Sequence, residues 1–309
     1  MFDRPDCRPL ANTLLHDLVD HRNPRAVLGE VLTIFSLIHE DADTHFLRTA
    51  HADTVALFHG EYPGYKCCST RYHDLQHTME VFLCAARLLH GHTLAGRTLS
   101  VRDCTLTLIA ALFHDAGLIQ SDSDNEGTGA KYTRGHEERS GAFVHAYFDT
   151  TGQPRRDADY CASVILTTCL GITPDVIPFT SPEHMLAGRI LGAADLLAQL
   201  SGREYLEKLL YLYGEFAEAG FAYESMFDLL SRTHGFYAMA RARIEGPLGG
   251  VDASMLRHFR NRWGLDRDMY SESTKRNMNY LNEVLRVGPE AYLTKLNRGG
   301  IVRSLTPSA

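Results

Sequence analysis

The sequence predicts an all-α protein, and three observations carry that reading. Apolar residues recur at helical spacing through most of the chain, no strictly alternating run is long enough for a strand, and Gly or Pro clusters separate the periodic segments. Up to about Gly60, Leu14, Leu18, Val27, Leu28, Val31, Leu32, Phe35 and Leu37 mark an N-terminal helical segment that packs on the rest of the chain. Tyr62-Pro63-Gly64-Tyr65 interrupts it. From Leu75 to about Leu89, Val81, Phe82, Ala85, Leu88 and Leu89 form a core-facing stripe. His77 lies one turn before Val81, on the same face. Thr105 to Phe113 is apolar nearly all round, as a fully buried helix is, and Gly117 stands where a C-cap glycine would. Ser121 to Gly129 is polar and rich in Gly, Ser, Asp and Asn, which predicts a flexible surface loop.

The next helix begins near His136 and carries Ala142, Phe143, Ala146 and Phe148, and another spans roughly Asp157 to Leu170. After Pro174, Pro178 and Pro182, a helix from about His184 to Leu200 holds Asp195. The remaining third is also helical in pattern, with Tyr205, Leu209, Leu210, Tyr213, Phe216, Phe227, Leu230, Phe236 and Tyr237. No repeat or low-complexity linker divides the chain. It therefore reads as one elongated domain, with an N-terminal segment at 1–60, a core at 61–202 and a helical extension at 203–309.

Bulk properties narrow the function classes. The 309 residues are 44% hydrophobic and 22% charged, enough for a substantial core. With 31 Lys and Arg against 38 Asp and Glu, the net charge of −7 argues against a surface that grips nucleic acid or anionic lipid. Seven cysteines without paired spacing argue against a disulfide framework, and vicinal Cys67-Cys68 lacks the second pair of a zinc knuckle. A reducing cytoplasm is the expectation. The polar start, Met1 to Asp6, does not resemble a signal peptide, and no apolar run is long enough to span a membrane.

Chemistry concentrates in three short stretches: Tyr72-His73-Asp74-Leu75-Gln76-His77, His114-Asp115, and Asp195 in the apolar run Ile190 to Leu197. Each is weak alone. His73 and His77 share a helix face, but 16 histidines would give roughly one such pair by composition. The dipeptide His-Asp also occurs at His16-Asp17 and His73-Asp74, so environment must separate the three cases. His114-Asp115 ends a buried helix, whose C-terminal dipole favours a cation, and a histidine beside an ionised aspartate is expensive there unless paired or bound to one. Asp195, between Ala193-Ala194 and Leu196-Leu197, makes the same argument independently. The alternative for these residues is a buried salt bridge or an exposed helix face.

The set Tyr72-His73-Asp74-Leu75-Gln76-His77, His114-Asp115 and Asp195 resembles the HD-domain metal-dependent phosphohydrolase superfamily, over about Pro63 to Leu200. The first piece is similar to the Tyr-His-Asn-x-x-His of cyclic nucleotide phosphodiesterases and bacterial HD-domain phosphohydrolases. The resemblance implies an HD helical bundle in which His77, His114, Asp115 and Asp195 bind a divalent metal and His73 is the general acid. Asp74 replaces the phosphodiesterases' Asn, which leaves the hydrogen bonding of His73 open. Arg134 to Ser140 resembles the later histidine at a helix start in binuclear HD enzymes. This makes His136 a candidate ligand for a second ion, the alternative being a solvated helix N-terminus. Lys131, Arg134 and Arg139 are candidate phosphate contacts.

A calcium loop competes, since Asp122, Asp124, Glu126 and Gly127 fit its first positions, but its twelfth holds Thr133 rather than Glu. Gly-rich phosphate loops and a GxSxG elbow are missing. The expected activity is metal-dependent hydrolysis of a small-molecule phosphoester, a nucleotide or cyclic nucleotide by analogy, with one or two ions drawn from Mn, Fe, Zn, Co or Mg. Neither a membrane nor a nucleic-acid partner is expected. A di-iron oxygenase of the inositol oxygenase kind, or a non-catalytic ligand-binding protein, would use the same ligand set.

Overall fold

The structure is a computed structural model that describes residues 12–305; residues 1–11 and 306–309 of the expected terminal segments lie outside it. Among the described residues there are thirteen α-helices and no strand, only an isolated antiparallel bridge between Tyr65 and Ser121. The protein is all-α, as its periodicity predicts. No helix of the described residues is long and apolar enough to cross a membrane, and the six described cysteines are free thiols.

The helices are α1 (Leu15–Leu18), α2 (Pro24–Ile38), α3 (His45–His59), α4 (Leu75–Leu94), α5 (Val101–Phe113), α6 (His136–Thr150) and α7 (Arg155–Ile165). They continue with α8 (Pro182–Ser201), α9 (Tyr205–Glu218), α10 (Met226–Glu245), α11 (Met255–Trp263), α12 (Met269–Arg286) and α13 (Ile301–Leu305). Several starts are fixed by side chains that satisfy the orphan amides of the first turn. Asn23 accepts from Arg25 and Ala26 ahead of Pro24, Asp74 caps α4, Ser100 caps α5, and Ser181 caps α8 ahead of Pro182.

At the centre lies α4. The sequence shows a one-sided stripe, but α4 is buried at every position from His77 to His92 because α2, α5, α8 and α11 surround it. Even Arg87 is fully buried; its Nη1 donates to the Tyr270 hydroxyl at 3.1 Å, and the guanidinium lies over the rings of Phe259 and Tyr270. Those rings belong to α11 and α12. The C-terminal third therefore completes the core, with α12 also packed on α8, rather than extending away from it.

Three expectations change once neighbours are present. The helix expected to reach Leu170 stops at Ile165 and passes through the tight turn Leu166–Thr168 into irregular backbone, where Arg243 of α10 donates to the carbonyls of Thr167 (3.0 Å), Cys169 (2.8 Å), Leu170 (3.2 Å) and Ile172 (2.7 Å). Carbonyls held by a guanidinium do not need helical partners. Gly117 is not a left-handed cap: α5 ends at Phe113 with His114 as its cap, and Gly117 sits in the tight turn Ala116–Leu118. Only glycine fits there, since a Cβ would lie 2.1 Å from the His136 carbonyl oxygen. The loop after Ser121 is pinned rather than loose. Asp124 accepts from Lys131 Nζ at 2.6 Å and from the Tyr132 hydroxyl at 2.5 Å, Lys66 donates to Asn125 Oδ1 at 2.7 Å, and Thr128 Oγ donates to Glu218 at 2.6 Å. These polar contacts supply the order that Gly and Ser content alone would deny.

Candidate metal centre and its cavity

Four elements converge on one point. His77 projects from the first turn of α4, and His114 and Asp115 occupy the turn that ends α5. Asp195 lies inside α8, and His136 opens α6 immediately after Gly135, whose φ of 82° is accessible to glycine without strain. Ser140 joins two of these elements: its hydroxyl donates to the His114 carbonyl at 2.6 Å and accepts from the Gly117 amide at 2.9 Å. The α5 turn and the start of α6 are thereby held in one register.

His77, His114 and Asp115 form a buried group whose ligand atoms lie within 4.8 Å of one another. His77 Nε2 is 3.2 Å from Asp195 Oδ1, 3.6 Å from Asp115 Oδ2 and 3.4 Å from His114 Nε2, and His114 Nε2 is 3.3 Å from Asp115 Oδ2. On its other side, Asp115 Oδ1 is 3.3 Å from His136 Nε2. The far nitrogens are oriented: His114 Nδ1 donates to Ala111 O at 2.9 Å and His136 Nδ1 to Thr133 O at 3.0 Å. In the neutral rings, both Nε2 lone pairs then point into the cluster, as metal-binding histidines are held.

Electrostatics make the same case. Burial alone would keep His114 and His136 neutral, but Asp115 pushes each up to about 9. Burial would also raise the carboxyls, yet neighbouring histidines hold Asp115 well below the usual carboxylate range and lower Asp195. The pocket therefore favours positive charge. Asp115 Oδ2 is fully buried without a hydrogen-bond partner among the described residues, a costly condition that a divalent cation at this point would relieve. Imidazole and carboxylate donors suit such an ion, so the residues present fit a metal.

His73 stands beside this group, its ring 6.1 Å from those of His77 and His136. Its Nδ1 is bonded to Glu215 Oε2 at 2.7 Å, while Glu215 Oε1 accepts the amides of Arg71 (2.7 Å) and Tyr72 (2.6 Å). Burial disfavours charge on His73, but the Glu215 hydrogen bond and the charge of Asp115 outweigh it and raise its pKa. Asp74 takes no part: its Oδ1 caps α4 through the His77 amide at 2.9 Å and pairs with Lys208 at 2.8 Å. The hydrogen bonding of His73 that the sequence leaves open thus falls to Glu215. Glu215 is absent from the sequence-derived site. A signal existed, because it is an acid among Leu212, Phe216 and other apolar residues of α9, the same pattern that singles out Asp195.

His73, His77, Asp115, His136 and Asp195 line a cavity of about 640 Å³, with His114 behind its wall. Of the candidate phosphate contacts, only Arg134 lines it, with its guanidinium over the Phe221 ring at 4.1 Å. Lys131 is held by Asp124 and by the Glu126 carbonyl, at 2.6 Å each. Arg139 donates to Gly117 O at 2.8 Å and stacks on Tyr132, so both lie outside the cavity wall. Asp124, one of the residues that fit a calcium loop, turns to Lys131 and Tyr132.

No curated protein and no solved structure matches the chain. A family model described as Npun_R2479-like matches residues 63–241, which include His73, the whole histidine and aspartate cluster, Glu215 and most of the cavity-forming α10. The match runs past residue 202, the expected end of the core. The chain belongs to the Npun_R2479-like family.

Proposed function

We propose that the protein is a metal-dependent phosphohydrolase of the HD type. The observation that carries this reading is the buried His77, His114 and Asp115 group, with Asp195 beside it, opening on the cavity into which His73 projects. His77, His114, Asp115 and Asp195 would hold the ion, and His136 with Asp115 Oδ1 would serve a second. When bound, the metal supplies Lewis-acid polarisation of a phosphoryl oxygen and lowers the pKa of a water.

The chain's own residues supply the rest. His73, with Nδ1 tied to Glu215, offers Nε2 as the proton donor to the leaving oxygen. In the balanced reaction the ester P–O bond breaks and a P–O bond to water's oxygen forms. The alkoxide takes its proton from His73, and the proton shed by water restores it. Glu215 fixes the ring and stabilises the imidazolium, while Arg134 at the cavity wall provides a donor for a phosphate oxygen. Apolar residues of the cavity wall lower the local polarity, which strengthens each of these interactions.

The test is elemental analysis of the purified protein, followed by a screen of phosphomonoesters, phosphodiesters and nucleotides with Mn, Fe, Zn, Co or Mg. Phosphate or alcohol release that disappears on chelation supports the reading. A second reading, a di-iron oxygenase, is favoured by the two-sided placement of Asp115, which faces His136 on one side and His77 and His114 on the other. Dioxygen consumption by the iron-loaded protein, without hydrolysis of any phosphoester under argon, would select it.

A further inference from the structure

The cavity has two unlike ends. At one end are the histidines and aspartates; the other is built from Leu209, Leu212 and Phe216 of α9, Leu229 and Phe236 of α10, and Phe221 between them. Phe216 stacks on Tyr223 with ring centroids 5.7 Å apart. Several polar side chains at this end already have partners. Thr233 donates to Leu229 O at 3.2 Å, Thr168 to Ile165 O at 2.9 Å, and Arg232 Nε to Asp228 at 2.8 Å. The hydroxyls of Tyr205 and Tyr223, the Gln199 amide nitrogen and the Nη groups of Arg134 and Arg232 remain.

From this division we infer that the substrate is a phosphoester of an apolar alcohol, alkyl or aromatic, whose hydrocarbon lies between α9 and α10 while its phosphate meets the metal group. The inference rests on the phosphohydrolase reading and specifies its substrate class. A nucleotide, expected from the resemblance, would bring a ribose and a base edge with several donors and acceptors. Here the six apolar side chains offer those groups no partner, a penalty that binding sites for nucleobases avoid. A hydrocarbon loses nothing polar on entering and gains the full transfer term. The cavity's volume of about 640 Å³ accommodates a chain or ring system well beyond a methyl or ethyl group.

The experiment uses the full chain loaded with manganese and compares ethyl, butyl, hexyl and octyl phosphate with adenosine monophosphate. Transfer of a methylene from water predicts a gain in kcat/KM of about three- to fourfold per carbon until the cavity is filled. Octyl phosphate should exceed adenosine monophosphate. A flat series, or a preference for the nucleotide, overturns the inference while leaving the hydrolytic reading intact. If no ester turns over, calorimetric titration with the same four phosphates separates the two claims. Affinity that rises with chain length supports the apolar class although hydrolysis has failed; chain-independent binding overturns it. Phe236→Arg should flatten the series. Phe221→Asp, in the connection between helices, provides a second check, with circular dichroism showing that each variant has folded. Retention of the full chain-length gradient in both folded variants also overturns the inference.

Discussion

Replacing Glu215 with Gln isolates one element of the proposed chemistry. Gln keeps the volume and an acceptor oxygen for the amides of Arg71 and Tyr72, now 2.7 and 2.6 Å from Glu215 Oε1. What changes is the atom 2.7 Å from His73 Nδ1, which becomes an amide NH2 that cannot accept a proton from the ring. Hydrogen bonds to charged groups are worth about 1.5–3 kcal/mol, so the His73 pKa should fall when this one is lost. The imidazolium loses the same support, and kcat should drop about 10- to 100-fold. Because His73 acts while protonated, activity is lost as pH rises through its pKa, and Glu215→Gln moves that limb to lower pH. The loss should be greatest with alkoxide leaving groups and smallest with p-nitrophenolate, which needs little protonation. Metal content should be unchanged, since Glu215 lies outside the proposed ligands. The assay is kcat against pH and against leaving-group pKa, with elemental analysis alongside. An unshifted pH limb, or equal loss with both leaving groups, would refute the role given to Glu215 and His73.

The same geometry makes further expectations testable. Asp115→Ala and Asp195→Ala should weaken metal binding by more than about 100-fold, the upper end for loss of an outer-shell partner, while circular dichroism remains helical; undiminished metal in both would remove the ligand assignment. Because His114 and His136 are pushed up to about 9, metal uptake should displace protons and tighten as pH rises toward 9, measurable by calorimetry in buffers of different ionisation enthalpy. In chelated protein the raised His114 pKa stabilises the fold fully below about 6.5, its ordinary value, and that contribution is lost as pH rises through about 9. The Tm of chelated protein should therefore fall across this window, and that of metal-loaded protein should fall less. Arg134→Ala should raise KM with little change in metal, whereas Lys131→Ala should loosen the Asp124 clip and leave KM unchanged; the reverse pattern would return the phosphate contact to Lys131. Gly117→Ala, which places a Cβ 2.1 Å from the His136 carbonyl, should cost about 1–3 kcal/mol by thermal melting.

Sequence alone determined the helical class, because the 3.6-residue period is a local property that survives without coordinates. It also singled out histidines and aspartates that the structure brings together. His114-Asp115 and Asp195 stand out because charged groups in apolar helices are costly wherever the helices pack, and the structure brings them to within 3.2–3.9 Å of His77 or of each other. Tertiary structure decided what depends on pairs distant in the chain. The partner of His73 lies 142 residues away on α9, and Asp74, its sequence neighbour, is diverted to capping and to Lys208. The backbone after α7 is held by Arg243 of α10, and the need for glycine at position 117 comes from the approach of α6. The fate of three basic residues was settled likewise: Arg134 reaches the cavity, while Asp124 takes Lys131, and Gly117 with Tyr132 takes Arg139. The apolar end of the cavity is of the same kind, since each of its helices shows only a stripe that would serve equally for core packing. Periodicity records which face of a helix avoids water, but not whether that face meets another helix or a ligand.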